Sequence, residues 1–262
     1  MWIRLCITLL HVDNIVVKAQ SRCSSRRLRV AWESVPRQLY PGCIVGPPLE
    51  ENPVTTPSSV IAEMFGERTP LADAYAHLVC TAGIERGLIG PREADRIWNR
   101  HILNSALLAD ILPEGVSVAD IGSGAGLPGI PVAIARPNLS VTLIEPLLRR
   151  VNFLHEVVSE LGLTNVTVVR GRAEEKSVHH EVGTVDYVTS RAVAPLAKLA
   201  KWSAPFAHSG SYLVALKGST AAEEIERDGL LVGKAGWRKE EVVQLHRDGG
   251  VEDTYVIRAI HI

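Results

Sequence analysis

Hydrophobic and polar residues alternate in blocks along most of this chain. Residues 118–121, 140–145 and 166–169 are short β-type apolar runs, and the longer segments between them carry apolar positions at helical spacing. The helical pattern at 146–161 has Pro146 at its first position and Gly162 at its end, where these residue types are favoured. Two further strands are expected at 185–190 and 212–216. An antiparallel pair follows at 241–246 and 254–261, joined across Asp248-Gly249-Gly250. Strand and helix in alternation predict a parallel sheet with right-handed crossovers, whose ligands sit at the carboxyl ends of its strands. Upstream, Thr69 and Pro70 open a helix that Gly87 closes. Gly90-Pro91 starts a second, running to about Leu112, with Ile97, Ile102, Leu103, Leu107, Leu108 and Ile111 near helical spacing. These two helices are expected to cap a sheet that begins at Val116.

The most informative stretch is Val118-Ala119-Asp120-Ile121-Gly122-Ser123-Gly124-Ala125-Gly126-Leu127-Pro128-Gly129, an apolar run with one carboxylate feeding into four glycines. Glycines at this spacing let the backbone turn sharply at a strand end and approach a ligand closely. A dinucleotide fold wants G-x-G-x-x-G with a pyrophosphate over a helix N-terminus. Here the spacing is G-x-G-x-G-x-x-G, and Asp120 precedes the loop, where it repels a phosphate and attracts an ammonium group. That favours S-adenosylmethionine, which has an amino-acid end and no phosphate. Glu145 closes the second run at a position suited to two ribose hydroxyls, a feature shared by both nucleotide types. The third run empties into Arg170-Gly171-Arg172-Ala173-Glu174-Glu175. An NAD(P)-binding module remains the alternative from a different class.

Taken with Arg100-His101-Ile102-Leu103-Asn104-Ser105 upstream, Ser190-Arg191-Ala192 and Leu216-Lys217-Gly218, the glycine loop with its Leu-Pro-Gly extension resembles the RsmG (GidB) family of bacterial methyltransferases. The resemblance covers roughly residue 58 to the C-terminus. Glu145-Pro146-Leu147-Leu148-Arg149-Arg150 and the Gly-Arg-Ala-Glu-Glu run are similar to actinobacterial members, whereas Asn104 stands where many relatives have Asp. The resemblance implies a class I S-adenosylmethionine-dependent fold, an α/β Rossmann-like and mostly parallel seven-stranded sheet with a small N-terminal helical cap. It also implies methyl transfer to a guanine N7 of 16S ribosomal RNA, on the naked RNA or the small ribosomal subunit. Guanine N7 has an in-plane lone pair and no proton to lose, so alignment with the methyl group can supply most of the rate gain. The chain accordingly shows Ser190-Arg191-Ala192-Val193-Ala194-Pro195 after the fourth strand, and no Ser/His/Asp or Cys/His arrangement.

On this reading Asp120, Gly122, Gly124, Gly126, Leu127, Glu145, Ala173, Glu174 and Arg191 bind the cofactor, and Arg191 and Lys217 act at the transfer site. Each has a plainer alternative: turn glycines, a turn acid at Asp120, a helix cap at Glu145, a solvated pair at Glu174 and Glu175, and surface cations. His101 suits packing or a site role, and Arg149 and Arg150 suit a solvated helix face, with phosphate contact as the alternative. A small-molecule methyltransferase is disfavoured by 5% aromatic content, too little for an apolar lid. A non-catalytic cofactor-binding assembly factor is a further option.

Composition narrows the partners. The net charge of −1 gives no global signature of nucleic-acid binding, so RNA contact must come from a local patch. Cys6, Cys23, Cys43 and Cys80 show neither paired nor metal-ligand spacing, as in a reduced, cytoplasmic protein without a metal. Residues 1–57 carry seven Lys/Arg against four Asp/Glu and end in a proline-rich stretch, with no sustained periodicity. The apolar stretch at 2–12 is too short to span a bilayer and lacks a signal-cleavage site. The segment reads as a disordered extension, or as a start-site artefact if translation begins at Val54 or Val60; a basic arm that folds on RNA is the functional alternative. The expected organisation is this extension, a helical cap at 58–115 and a cofactor-binding domain at 116–262 in a monomeric enzyme.

Overall fold

The computed structural model describes residues 9–12, 15–18, 58–249 and 251–262. Within the first segment, β1 (Leu9–Val12) and β2 (Ile15–Lys18) pair antiparallel, Leu9 opposite Lys18 and Val12 opposite Ile15. Strands of four residues are too short to establish a period, which is why the sequence pattern passes over them. The rest of residues 1–57, and with it the expectation of a disordered extension, lies outside the described residues.

From Ser58 to the sheet the chain is almost continuously helical but seldom regular. A helix the sequence pattern did not predict, α1 (Ser58–Phe65), leads through Gly66 at φ +52° into α2 (Thr69–Leu78). The Thr69 hydroxyl donates to the Gly66 carbonyl at 2.8 Å instead of accepting from a helix amide as an N-cap does. The helix continues through a π-type turn, Val79–Gly83, and closes where expected: Gly87 takes φ +65°, and the Leu88 amide reaches back to the Gly83 carbonyl at 2.8 Å. The second expected helix is α-helical only at α3 (Leu103–Ala106), with a 3₁₀ turn Pro91–Arg96 and a π-type turn Ile97–Ile102 before it and a 3₁₀ turn Leu107–Ile111 after it. The π-type turn has a reason in the sequence. Ile97 and Ile102 are five residues apart, out of phase for an α-helix, and the wider turn brings both into the core.

The sheet is built from β3 (Ser117–Ile121), β4 (Ser140–Glu145), β5 (Val166–Arg170), β6 (Val185–Arg191), β7 (Ala207–Lys217), β8 (Trp237–Leu245) and β9 (Thr254–His261). Between them run α4 (Gly129–Ala135), α5 (Leu148–Glu160), α6 (Lys176–Val182), α7 (Leu196–Ser203) and α8 (Ala221–Lys234). The strand order is β5-β4-β3-β6-β7-β9-β8, parallel except for β9, which is antiparallel to both neighbours. The fold is therefore the seven-stranded, mostly parallel α/β sheet that the sequence implies. Two apolar layers cover it. Val118, Val141, Leu143 and Val214 face a core shared with the cap, α4 and α5. Ala119, Ile121, Ile144 and Ala215 face the layer beneath α6, α7 and α8. Burial on both faces is why these strands read as continuous apolar runs.

From β3 the chain steps outward through β4 to β5 and then crosses back to β6 on the other side of β3, so the strand order reverses at β3. In open α/β sheets ligands settle at the carboxyl ends beside such a reversal.

Candidate active site

A cavity of about 690 Å³ opens at that reversal, lined by the loops after β3, β4, β5 and β6 and by the cap. Its size falls in the range of small-molecule sites. The floor is the glycine loop, whose Gly122 and Ser123 amides donate to the Ile144 carbonyl at 2.8 and 3.2 Å. Gly122 stands at φ +72°, and a Cβ there would fall 2.7 Å from Val193 Cγ2. A side chain is therefore excluded where the loop passes under the wall contributed by β6. Gly126, at φ +101°, is packed even more tightly; a Cβ would meet Ile130 Cγ1 at 2.5 Å.

Glu145 sits at the end of β4, buried, with Oε2 accepting from the Gly124 amide at 3.0 Å and Oε1 from the Leu147 amide at 3.0 Å. The second bond holds the chain in a turn through Pro146, so α5 starts at Leu148, two residues later than the proline predicts. Each oxygen retains further acceptor capacity, and Glu145 lines the cavity. Ala173 and Glu174 line the same cavity after β5, and the Ala173 carbonyl is fixed by the His179 ring at 2.6 Å. The sequence-predicted Gly122, Gly124, Leu127, Glu145, Ala173, Glu174 and Arg191 thus converge on one cavity.

Three sequence-predicted residues lie elsewhere. Asp120 is fully buried beneath the loop and outside the cavity wall. Its Oδ2 accepts the Gly129 amide at 3.1 Å, and its backbone carbonyl takes the Ser123 hydroxyl at 2.9 Å. Asp120 ties the two ends of the glycine loop together from below, and its Oδ1, buried with no hydrogen-bond partner among the described residues, is the atom left for the expected ammonium or water-mediated role. Burial pushes its carboxyl up to about 7. Gly126 also lies off the wall, packed against Ile130, Leu154 and the Tyr75 hydroxyl. Lys217 lines a second cavity instead, where Nζ donates to the Ala194 carbonyl at 3.0 Å and to Glu224 Oε2 at 2.7 Å. Glu224 Oε2 also accepts the Leu196 amide at 3.1 Å, so Lys217 braces the entry into α7.

This second cavity, about 940 Å³, shares Arg100, Arg191, Ala192 and Val193 with the first. Ala192 takes φ +53°, uncommon for a residue with a Cβ, at the point where the wall turns between the two cavities. Arg191 is heavily committed. It donates to the Arg100 carbonyl at 2.6 Å, the His101 carbonyl at 3.2 Å, Ser105 Oγ at 3.0 Å and His101 Nδ1 at 3.3 Å. Because His101 Nδ1 accepts, its Nε2 carries the proton and donates to Glu93 Oε2 at 2.7 Å. Burial, opposed by Glu93 and reinforced by Arg191, lowers the His101 pKa, consistent with a neutral ring. Sequence reasoning missed Glu93 and Tyr75, and it included Ala192 and Val193 within the 190–195 segment without giving either a role. The Tyr75 hydroxyl, buried in α2, donates to the Ala125 carbonyl at 2.9 Å and so braces the glycine loop from the cap.

The model of the GidB family, rRNA small subunit methyltransferase G, matches residues 68–252. The chain belongs to this family. The ribosomal RNA small subunit methyltransferase G of Corynebacterium glutamicum ATCC 13032 is 60% identical over 183 residues, covering 70% of this chain and 82% of that protein. Its counterpart in Corynebacterium jeikeium K411 is 55% identical over 201 residues, covering 77% and 90%. Among solved structures, Aeropyrum pernix fibrillarin, in complex with natively bound S-adenosyl-L-methionine, overlaps 62% of this chain and 76% of its own at TM-score 0.48 and 24% identity. The family match takes in the whole lining of the first cavity and the shared wall, with Tyr75 and Glu93 on the cap included, and the lining of the second cavity except Asp253, Thr254 and Tyr255.

Proposed function

We propose that the chain binds S-adenosylmethionine in the first cavity and transfers its methyl group to N7 of a guanine in 16S ribosomal RNA presented through the second. The observation that carries this reading is the pair of adjoining cavities with the common wall at 191–193, in a member of an rRNA methyltransferase family. The first cavity fits the cofactor: a buried carboxylate at Glu145 for vicinal hydroxyls, an apolar lining from Leu88, Ile89, Leu127 and Val193, and a loop without side chains at Gly122 and Gly124. The bound cofactor supplies a methyl group on a sulfonium, activated for displacement.

The chain's own residues bind, orient and exclude water. Glu145 accepts from the ribose diol, and the loop at 173–174 meets the adenine. Arg191 and Lys217 act as positioning residues, Arg191 by fixing the cap to the end of β6 and Lys217 by bracing the segment that walls both cavities. The acceptor nitrogen needs no base, and orientation within a closed site provides the acceleration. Guanine N7 lies on the major-groove edge that A-form RNA hides, so the target base enters splayed from its helix. On this reading the chain works as a monomer in the cytoplasm, and the described helices include none long and apolar enough to cross a membrane. The organisation follows as a helical cap at 58–115 and a cofactor domain at 116–262, with residues 1–57 dispensable for transfer.

Calorimetry with S-adenosylmethionine tests the site. Glu145→Gln should weaken binding by about 1.5–3 kcal/mol through loss of charge-assisted hydrogen bonds. Unchanged affinity in that variant would remove Glu145 from the cofactor site.

A further inference from the structure

We infer that the cap holds the amino-acid end of the cofactor, with Arg100 taking its α-carboxylate and Glu93 its α-ammonium. The inference rests on the cofactor reading above and adds two residues that the glycine-loop motif does not contain. The cavity has a direction. Glu145 follows β4 and Ala173–Glu174 follow β5, both on one side of β3, so the ribose and adenine lie there. The tail must then run toward the other side, where β6 ends and the cap contributes Glu93, Arg100 and His101 to the wall.

A zwitterionic tail needs one cation and one anion at that end. Four arginines line the cavity. Arg150 lies 3.6 Å from Glu145 and Arg172 follows β5, both on the nucleoside side. Arg191 spends its guanidinium on two carbonyls, a hydroxyl and a ring nitrogen. Arg100 is left, on the wall common to both cavities, its side chain 46% exposed and its Nε 3.8 Å from Glu93 Oε2. That separation is an ion pair without a hydrogen bond between two partly exposed side chains, which can part to take a carboxylate on Arg100 and an ammonium on Glu93. Of the carboxylates in the lining, Glu145 and Glu174 are on the nucleoside side and Glu93 is at the tail end. Asp120, the acid that the motif suggests for the ammonium, is sealed beneath the loop.

Glu93 is also held in place. The Arg191 guanidinium fixes the His101 ring, and the ring donates to Glu93. The same hydrogen bond keeps the Glu93 carboxyl below the usual carboxylate range, so it is ionised at neutral pH. The strand end that walls the cavity thereby orients the acid that receives the cofactor.

The test compares S-adenosylhomocysteine with 5′-methylthioadenosine, which keeps the nucleoside and lacks the amino-acid group, by calorimetry on the full chain. The wild type should prefer S-adenosylhomocysteine. Arg100→Ala and Glu93→Gln should each weaken S-adenosylhomocysteine about tenfold or more while leaving 5′-methylthioadenosine within about twofold, and Arg100→Lys should recover part of the loss. Unchanged S-adenosylhomocysteine affinity in both variants, or an equal fall for the two ligands, would overturn the assignment. A wild-type chain that binds neither ligand would instead overturn the cofactor reading on which it stands.

Discussion

The glycine loop after β3 and the helical cap line the same cavity by opposite means. The loop does it largely with backbone: amides and carbonyls turned by positive φ, with side chains removed on the wall at Gly122 and Gly124 and behind it at Gly126. The cap does it with side chains reaching in from irregular helix, Glu93, Arg100 and His101 on the wall and Tyr75 behind it. A backbone-built surface tolerates almost no added atom, whereas a side-chain-built surface can be altered one contact at a time. The two are joined at a few points, chiefly Tyr75 to the Ala125 carbonyl and Arg191 to the 100–105 segment. A second set of links ties the cap to the β8–β9 connection, Arg247 to Asp110 at 2.9 Å and Arg96 to Glu252 at 2.8 Å.

The largest effect is expected on the backbone side. Gly126→Ala places a Cβ 2.5 Å from Ile130 at a φ that alanine resists. It should destabilise the fold by about 2–5 kcal/mol and abolish cofactor binding, read by urea denaturation and calorimetry. A variant of wild-type stability would mean the loop is softer than its packing implies. Next comes the junction. Arg191→Ala leaves two backbone carbonyls and the Ser105 hydroxyl without their donor. It should cost about 3 kcal/mol and depress turnover strongly even with saturating cofactor, because the cap is no longer fixed against β6. Turnover unchanged by this substitution would separate the cap from the chemistry.

These two positions also show how far the sequence could be read. The strands of the sheet were legible because burial on both faces writes itself as short apolar runs, and β9 (Thr254–His261) matches its expected limits residue for residue. Gly87 and Gly162 end helices as expected, both at positive φ. The glycine loop was legible because its constraint is local, residue type for backbone angle. The cap was legible only in outline. Its π-type and 3₁₀ turns follow from how Ile97, Ile102 and Leu107 meet a core made elsewhere in the chain. Asp120 was visible as a candidate from its position before the glycines, while its burial under Gly129 depends on how the loop folds back. The Arg191–His101–Glu93 relay joins residues 90 and 8 positions apart, and no local pattern carries such a separation.

A smaller effect concerns the acid beneath the loop. Burial holds the Asp120 carboxyl up at about 7, against an ordinary value of about 4 in the unfolded chain. Between those values the folded state keeps a proton that the unfolded chain has released. The stability this provides is complete below about pH 4 and lost as pH rises through about 7. Asp120→Asn keeps an acceptor for the Gly129 amide and removes the titration. Relative to wild type, its urea midpoint should therefore improve from about pH 5 to about pH 8. A constant difference over that range would show that Asp120 is ionised throughout. The smallest effect is expected at Arg149, exposed on α5 beside the cavity mouth. Arg149→Ala should change stability by no more than about 0.5 kcal/mol and leave methylation near wild type. A large loss of activity there would place an RNA contact on that helix.

The most direct measurement is the product itself. Full-length chain, labelled S-adenosylmethionine and either small ribosomal subunits or deproteinised 16S ribosomal RNA lacking the modification should be incubated, and the RNA digested to nucleosides for mass spectrometry. Label in 7-methylguanosine, from a single site and in at least one of the two substrates, is the predicted result. Label on an exocyclic amine or a ribose oxygen, or no transfer by a chain that demonstrably binds the cofactor, would contradict it.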